Sequence, residues 1–156
     1  MDKQLQTYHY NGALQLESGK SIRDFPLAYT TIGNLNDKKD NVIWIFHAMT
    51  ANSDPSDWWE VMVGENKFFD PKAYFIVCVN MPGSCYGSVN PLSINPDSGE
   101  VYYGDFPFFT PLDMARAYEQ LRTSLGIQSI LVGIGGSMGG QQLVAWACEQ
   151  PTLFKF

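Results

Sequence analysis

Three short runs along the chain are apolar at every position: Val42–Phe46, residues 74–79 (Tyr-Phe-Ile-Val-Cys-Val) and residues 130–132 (Ile-Leu-Val). Runs of this length without polar alternation suit central strands of a parallel sheet covered on both faces. Ahead of them, residues 7–32 alternate loosely and are broken by Asn11-Gly12 and Ser18-Gly19. That pattern predicts two antiparallel strands, near residues 7–10 and 25–32. The gaps between the apolar runs are long enough for crossover connections. Residues 58–63 are predicted as a short helix in the first gap. The second gap carries stronger helix signals: Thr110 as N-cap, Pro111 at the first helical position and Asp113 completing a capping-box pattern. Leu112, Ala115, Tyr118, Leu121 and Leu125 then recur on one face, and Gly126 closes the helix. A further helix is predicted from about Met138 to Glu149, stopped by Pro151.

Two antiparallel strands followed by strand–helix–strand–helix–strand–helix describe the first part of an α/β fold with a mostly parallel sheet and flanking helices. Nothing after Pro151 reads as a further strand, so the 130–132 strand is expected to have an open edge. Residues 1–156 therefore read as the N-terminal portion of a single α/β domain, with C-terminal strands and a lid expected beyond Phe156.

Composition narrows the function classes. Hydrophobic residues make up 45% and charged residues 17% of the 156 positions, enough for a packed core. The net charge of −6 and the scattered Lys and Arg provide no basic patch, which argues against nucleic acid or an anionic membrane as partner. Met1-Asp2-Lys3-Gln4 opens no apolar signal segment, and no apolar stretch is long enough to span a bilayer. Cys78, Cys85 and Cys148 form no C-x-x-C pair, so neither a metal site nor a disulfide framework is expected. Free thiols fit a reducing cytoplasm. Cys78 and Cys148 read as small buried apolar residues, and Cys85 lies in a Gly-rich loop that can border a site.

The candidate chemistry sits where the third apolar run meets its helix. Gly135-Gly136-Ser137-Met138-Gly139 contains G-x-S-x-G between a predicted strand and a predicted helix. In a nucleophile elbow the serine occupies a strained turn, and glycines two residues to either side avoid clashes with strand and helix. The helix start would aim backbone N–H groups at developing negative charge, with Met138 as the first oxyanion donor. Dinucleotide and P-loop readings fail: Met138 is too large for the first, and Gly19-Lys20-Ser21 lacks the preceding glycine at Leu14 for the second. The loop after the first apolar run, Phe46-His47-Ala48-Met49-Thr50, is where this fold supplies its second oxyanion N–H. His47 precedes the serine, contrary to the Ser–acid–His order, and is read as shaping that loop. His9 is read as a surface or edge-strand residue. No histidine follows Ser137, and Glu149 lies about three helical turns away. The segment thus contains no general base for Ser137.

These residues carry a resemblance. Leu16-Glu17-Ser18-Gly19, the run from Ala28 to Asn36, the stretch from Asn41 to Thr50, Gly83-Ser84-Cys85-Tyr86-Gly87-Ser88, Pro91-Leu92-Ser93-Ile94-Asn95-Pro96, Phe106-Pro107, Asp113-Met114 and the elbow with Gln141-Gln142 are together similar to the homoserine O-acetyltransferases. These are acyltransferases of the α/β-hydrolase fold. The resemblance implies a ping-pong reaction in methionine biosynthesis, with acetyl-CoA as cosubstrate, L-homoserine as acceptor and no resident cofactor. It implies Ser137 as nucleophile and the backbone N–H groups of Met49 and Met138 as oxyanion donors. The family's Asp and His would lie beyond Phe156, and a homodimer is compatible with it. The sequence departs from the family pattern at Asn90, where Gly is usual, at Leu112, where Arg is usual, and at Met81-Pro82. Relatives that acylate serine, use succinyl-CoA or hydrolyse esters keep those alternatives open, and an inactive truncated fragment is a further one.

Overall fold

The computed structural model describes residues 2–156. A long hairpin opens the chain, formed by β1 (Lys3–Gln15) and β2 (Ser21–Ile32), and both strands extend well past the stretches predicted from alternation. Asn11-Gly12 does not break the first strand. The register shifts between Tyr10 and Ala13, so the pair is a bulge inside the strand. Gly12 takes φ 92° there and its N–H donates to Asp24 Oδ1 at 2.8 Å.

The apolar runs become β3 (Val42–Phe46), β4 (Phe75–Val79) and β5 (Ile130–Gly135), in a sheet of order β1-β2-β4-β3-β5. β4, β3 and β5 are parallel, and β2 joins β4 antiparallel. Every residue of β3 is buried, as its position between two parallel neighbours requires. The three parallel strands end side by side at Phe46, Val79 and Gly135, the edge at which open α/β sheets place their functional loops.

The helix predicted for residues 58–63 is instead a single turn, α1 (Pro55–Trp58), capped by Asp54. Stacked Trp58 and Trp59 pack with Phe69 and Val63 on one sheet face, and this tertiary packing overrides the helical pattern of residues 59–63. α2 (Pro111–Ser124) forms with the reciprocal capping box of Thr110 and Asp113. α3 (Met138–Glu149) follows the elbow. The two helices are keyed to β3 by an aromatic cluster in which Trp44 and Trp146 meet edge to face, with ring centroids 5.0 Å apart, and Tyr118 packs against both.

Two further expectations are corrected. Cys148 is exposed, because α3 buries only the stripe of Gly139, Gln142 and Trp146. The far edge of β5 is not bare. Residues 153–156 run parallel to it, with Ile130 N–H donating to Leu153 O at 2.9 Å, Lys155 N–H to Ile130 O at 3.0 Å and Gly133 N–H to Phe156 O at 3.0 Å. No helix among the described residues is long and apolar enough to cross a membrane.

Candidate active site

The turn from β5 into α3 is built around two glycines that cannot carry a side chain. A Cβ on Gly139 would lie 2.1 Å from Phe46 O and 2.8 Å from His47 O. One on Gly135 would meet Gly139 C and Phe46 Cβ, each at 2.8 Å. The first turn of α3 therefore rests directly on the end of β3 and brings the 47–50 loop against the helix start. Ser137, between these glycines, has φ 54° and ψ −128° and is exposed. A non-glycine residue in this region costs about 1–3 kcal/mol, which the surrounding close contacts must offset. The spacing of the glycines read in the sequence thus has a direct steric cause.

Met49 and Met138 line one cavity of about 730 Å³ at the C-terminal edge of the sheet. Neither the Met49 N–H nor the Met138 N–H has a hydrogen-bond partner among the described residues. Ser137 itself faces an adjoining open groove with Glu17, Leu112 and Val144, and Pro111 and Gln141 border both spaces. An exposed serine at a helix start, with an unpaired N–H on Met138 next to it and another on Met49 lining the adjoining cavity, can serve acyl transfer, since such donors stabilise an oxyanion.

The cavity is markedly apolar, walled by Met81, Tyr86, Phe106, Phe108 and Met114. Sequence reading did not single out Phe106, Phe108, Phe109 or Gln141 as site residues. The available signal was the aromatic run Phe106-Pro107-Phe108-Phe109 immediately before a helix cap, where loop residues are usually polar. Cys85 is exposed on the cavity rim. Cys78 is fully buried, which pushes its thiol well above its usual range, so it stays protonated and inert.

His47 is 1% exposed and sits under the loop rather than in the cavity. Its Nδ1 lies 2.8 Å from Ala48 O, and the Met81 N–H points to its Nε2 at 3.3 Å. Burial lowers its pKa from the ordinary value, so it stays neutral. His9 is exposed on β1, opposite Pro26. Glu149 pairs with Arg116 at 2.9 Å at the far end of α3 and does not approach Ser137.

Supporting polar groups hold the loops. Asp113, 0% exposed, caps α2 and also accepts the Glu17 N–H at 3.0 Å, so the hairpin turn is tied to the helix start. Asn80 accepts the Ser53 N–H at 2.7 Å and donates to Ser53 Oγ at 3.0 Å and Tyr86 O at 2.8 Å, which clamps the loops after β3 and β4 together. Asn90 is not left-handed. Its Oδ1 accepts the Leu92 N–H at 2.8 Å, so the side chain makes the turn that a glycine would make by φ. Leu112 adds an apolar wall to the Ser137 groove.

Comparison with known proteins agrees with this architecture. The profile described as alpha/beta hydrolase fold matches residues 41–155. The chain belongs to the α/β-hydrolase fold family. It is 53% identical over 140 residues to the homoserine O-acetyltransferase of Cyclobacterium marinum, a match covering 90% of this chain and 40% of that protein. Among solved structures, esterase E22 superposes with a TM-score of 0.87 at 29% identity, over 98% of this chain and 46% of that one. The homoserine O-acetyltransferase from Bacillus anthracis superposes with a TM-score of 0.86 at 30% identity, over 96% of this chain and 44% of that one. The chain spans about 40% of the length of the curated relatives it matches.

Proposed function

We propose that residues 1–156 are the N-terminal portion of an acyltransferase that moves an acetyl group from acetyl-CoA to the hydroxyl of L-homoserine. The observation that carries this reading is the strained, exposed Ser137 at an elbow, with unpaired N–H groups on the adjacent Met138 and on Met49 of the adjoining cavity. In the first half-reaction Ser137 Oγ attacks the thioester carbonyl while a general base outside this segment takes its proton. The oxyanion is held by the N–H groups of Met49 and Met138, and the coenzyme A thiol leaves. In the second half-reaction the homoserine hydroxyl attacks the acyl-serine ester, and Ser137 is regenerated as O-acetylhomoserine departs. Acetyl-CoA acts as cosubstrate, with no resident cofactor. The reading places the enzyme in methionine biosynthesis in the cytoplasm, with a homodimer as a compatible assembly.

The similarity to an esterase at a TM-score of 0.87 favours one second reading, in which water replaces the alcohol on the same elbow. One assay separates the two: thiol release from acetyl-CoA by the full-length enzyme, with and without L-homoserine. Release that depends on homoserine and yields O-acetylhomoserine supports the transferase. Release at the same rate without homoserine, yielding acetate, supports the esterase and overturns the first reading.

A further inference from the structure

His47 is a buried titratable group beside the oxyanion loop that the acyl-transfer chemistry leaves without a task. Two hydrogen-bond contacts orient its ring, and the Val79 backbone lies against it as well. A carbonyl oxygen only accepts, so the 2.8 Å contact with Ala48 O requires a proton on Nδ1. A backbone N–H only donates, so the contact from Met81 N at 3.3 Å requires a bare Nε2. Both are met by the same neutral tautomer, and burial favours the neutral ring over its cation.

Ala48 O belongs to the peptide unit whose N–H is that of Met49. The described residues contain no cis peptide bond, so this C=O and N–H point in opposite directions. Holding the carbonyl down toward the His47 ring turns the Met49 N–H away from it, on the side where Met49 lines the cavity. Ala48 O also accepts the Ala51 N–H at 2.9 Å, so the peptide is held at two points. The ring is in turn tied through the Met81 N–H to the loop after β4.

We propose that His47 is a positioning residue for the oxyanion hole: its Nδ1–H locks the Ala48–Met49 peptide so that the Met49 N–H is preset to receive the acyl oxyanion. This rests on the acyl-serine reading above, in which the Met49 N–H is a donor. His47 makes no contact with the reacting atoms and transfers no proton.

Two side chains separate the two halves of the ring. Asn can place a donor near the Nδ1 position and lacks the Nε2 acceptor. Gln can place an acceptor near the Nε2 position and lacks the Nδ1 donor. The full-length enzyme with His47→Asn, His47→Gln and His47→Ala is followed by the acylation burst with p-nitrophenyl acetate, per folded molecule. Loss of one oxyanion donor costs about 10²–10³ in rate. The acylation rate constant is expected to fall about 10²-fold in His47→Gln and His47→Ala with KM little changed, and to stay within about tenfold in His47→Asn. Equal losses in the Asn and Gln variants, or a better-preserved Gln variant, would overturn the proposal. The unmutated protein gives a second readout that needs neither activity nor a folded variant. Long-range ¹H–¹⁵N correlation of the His47 ring is expected to show the Nδ1–H tautomer, and an Nε2–H tautomer would overturn the proposal. If Ser137→Ala instead leaves the burst intact, the acyl-serine reading itself fails, whatever the tautomer.

Discussion

The carbonyl of Phe46 occupies the space a side chain would need at Gly139: a methyl group there would lie 2.1 Å from the oxygen. The obstructing atoms are backbone of a fully buried strand, so they cannot swing aside. Gly136, by contrast, has nothing within 4 Å of where its Cβ would be. Gly139→Ala is therefore expected to destabilise the protein by about 3 kcal/mol, the upper end of overpacking costs. Gly136→Ala is expected to stay within about 0.5 kcal/mol. Denaturant midpoints of the two variants decide the matter, and equal midpoints would show that the helix start can retreat from β3.

Ser137 separates chemistry from strain. Ser137→Ala in the full-length enzyme is expected to abolish acyl transfer while leaving the fold intact, since it removes only the hydroxyl. Retention of more than about a hundredth of the activity would be incompatible with a nucleophilic serine. Ser137→Gly should be equally inactive yet more stable than Ser137→Ala by about 1 kcal/mol, because glycine tolerates the φ of 54° seen here. If the two variants unfold at the same denaturant concentration, the elbow stores no backbone strain.

Ping-pong chemistry requires a covalent intermediate. Full-length enzyme incubated with acetyl-CoA alone should yield an acetylated peptide spanning residues 133–146 on mass analysis. Parallel initial-rate lines are expected when both substrates are varied. Intersecting lines together with an unlabelled serine would mean direct transfer within a ternary complex.

His47 gives the stability a pH dependence of known sign. Its folded-state pKa lies below the ordinary value of 6.5, with desolvation by burial the largest cause. Above pH 6.5 the ring is neutral in both states and contributes no slope. As pH falls below 6.5, the unfolded chain takes up a proton that the folded protein resists, so stability is lost, by up to about 1.4 kcal/mol per pH unit. Unfolding free energies measured between pH 7 and pH 5 should fall more steeply for the wild type than for His47→Asn, which has no group titrating there. Superimposable profiles would show that the buried ring protonates as freely as an exposed one.

Much of this arrangement was legible because local and tertiary preferences coincide. Val42–Phe46 is apolar at every position because β3 is covered on both faces, and Thr110, Pro111 and Asp113 announce a helix start that forms with its full capping box. The misses have physical reasons. Gly12 reads as a strand breaker, yet the long pairing of β1 with β2 absorbs it as a bulge. Residues 59–63 have a helical pattern, but Trp58 and Trp59 gain more by packing near Phe69. Residues 153–156 are too short a stretch after Pro151 to read as a strand, and only the open edge of β5 gives them a partner. Within the site, Ser137 and its glycines were visible because sterics restricts residue type there. The role of the Ala48 carbonyl was not, because a backbone oxygen leaves no mark on the sequence.

Residues 1–156 expressed alone are expected to be catalytically silent and prone to associate. The chemical reason is the missing base. A serine hydroxyl is barely ionised at neutral pH, and of the two histidines His9 is exposed on β1 while His47 has both ring nitrogens engaged away from Ser137. The physical reason is uncovered apolar surface. Val144 on α3 is 62% exposed and Phe156 beside β5 is 82% exposed, while Leu131, Val132 and Ile134 on β5 are only half-buried. Fully burying a side chain of this size is worth roughly 1.5–3 kcal/mol. A domain has only about 5–15 kcal/mol in total, so leaving several such groups in water weakens the fold and favours self-association. The four residues that pair with β5 reduce this exposure without removing it. Size-exclusion chromatography, thermal unfolding and acetyl-CoA turnover of the segment test both points. A monomer with a sharp melting transition would refute the association argument, and turnover lost on Ser137→Ala would refute the catalytic one.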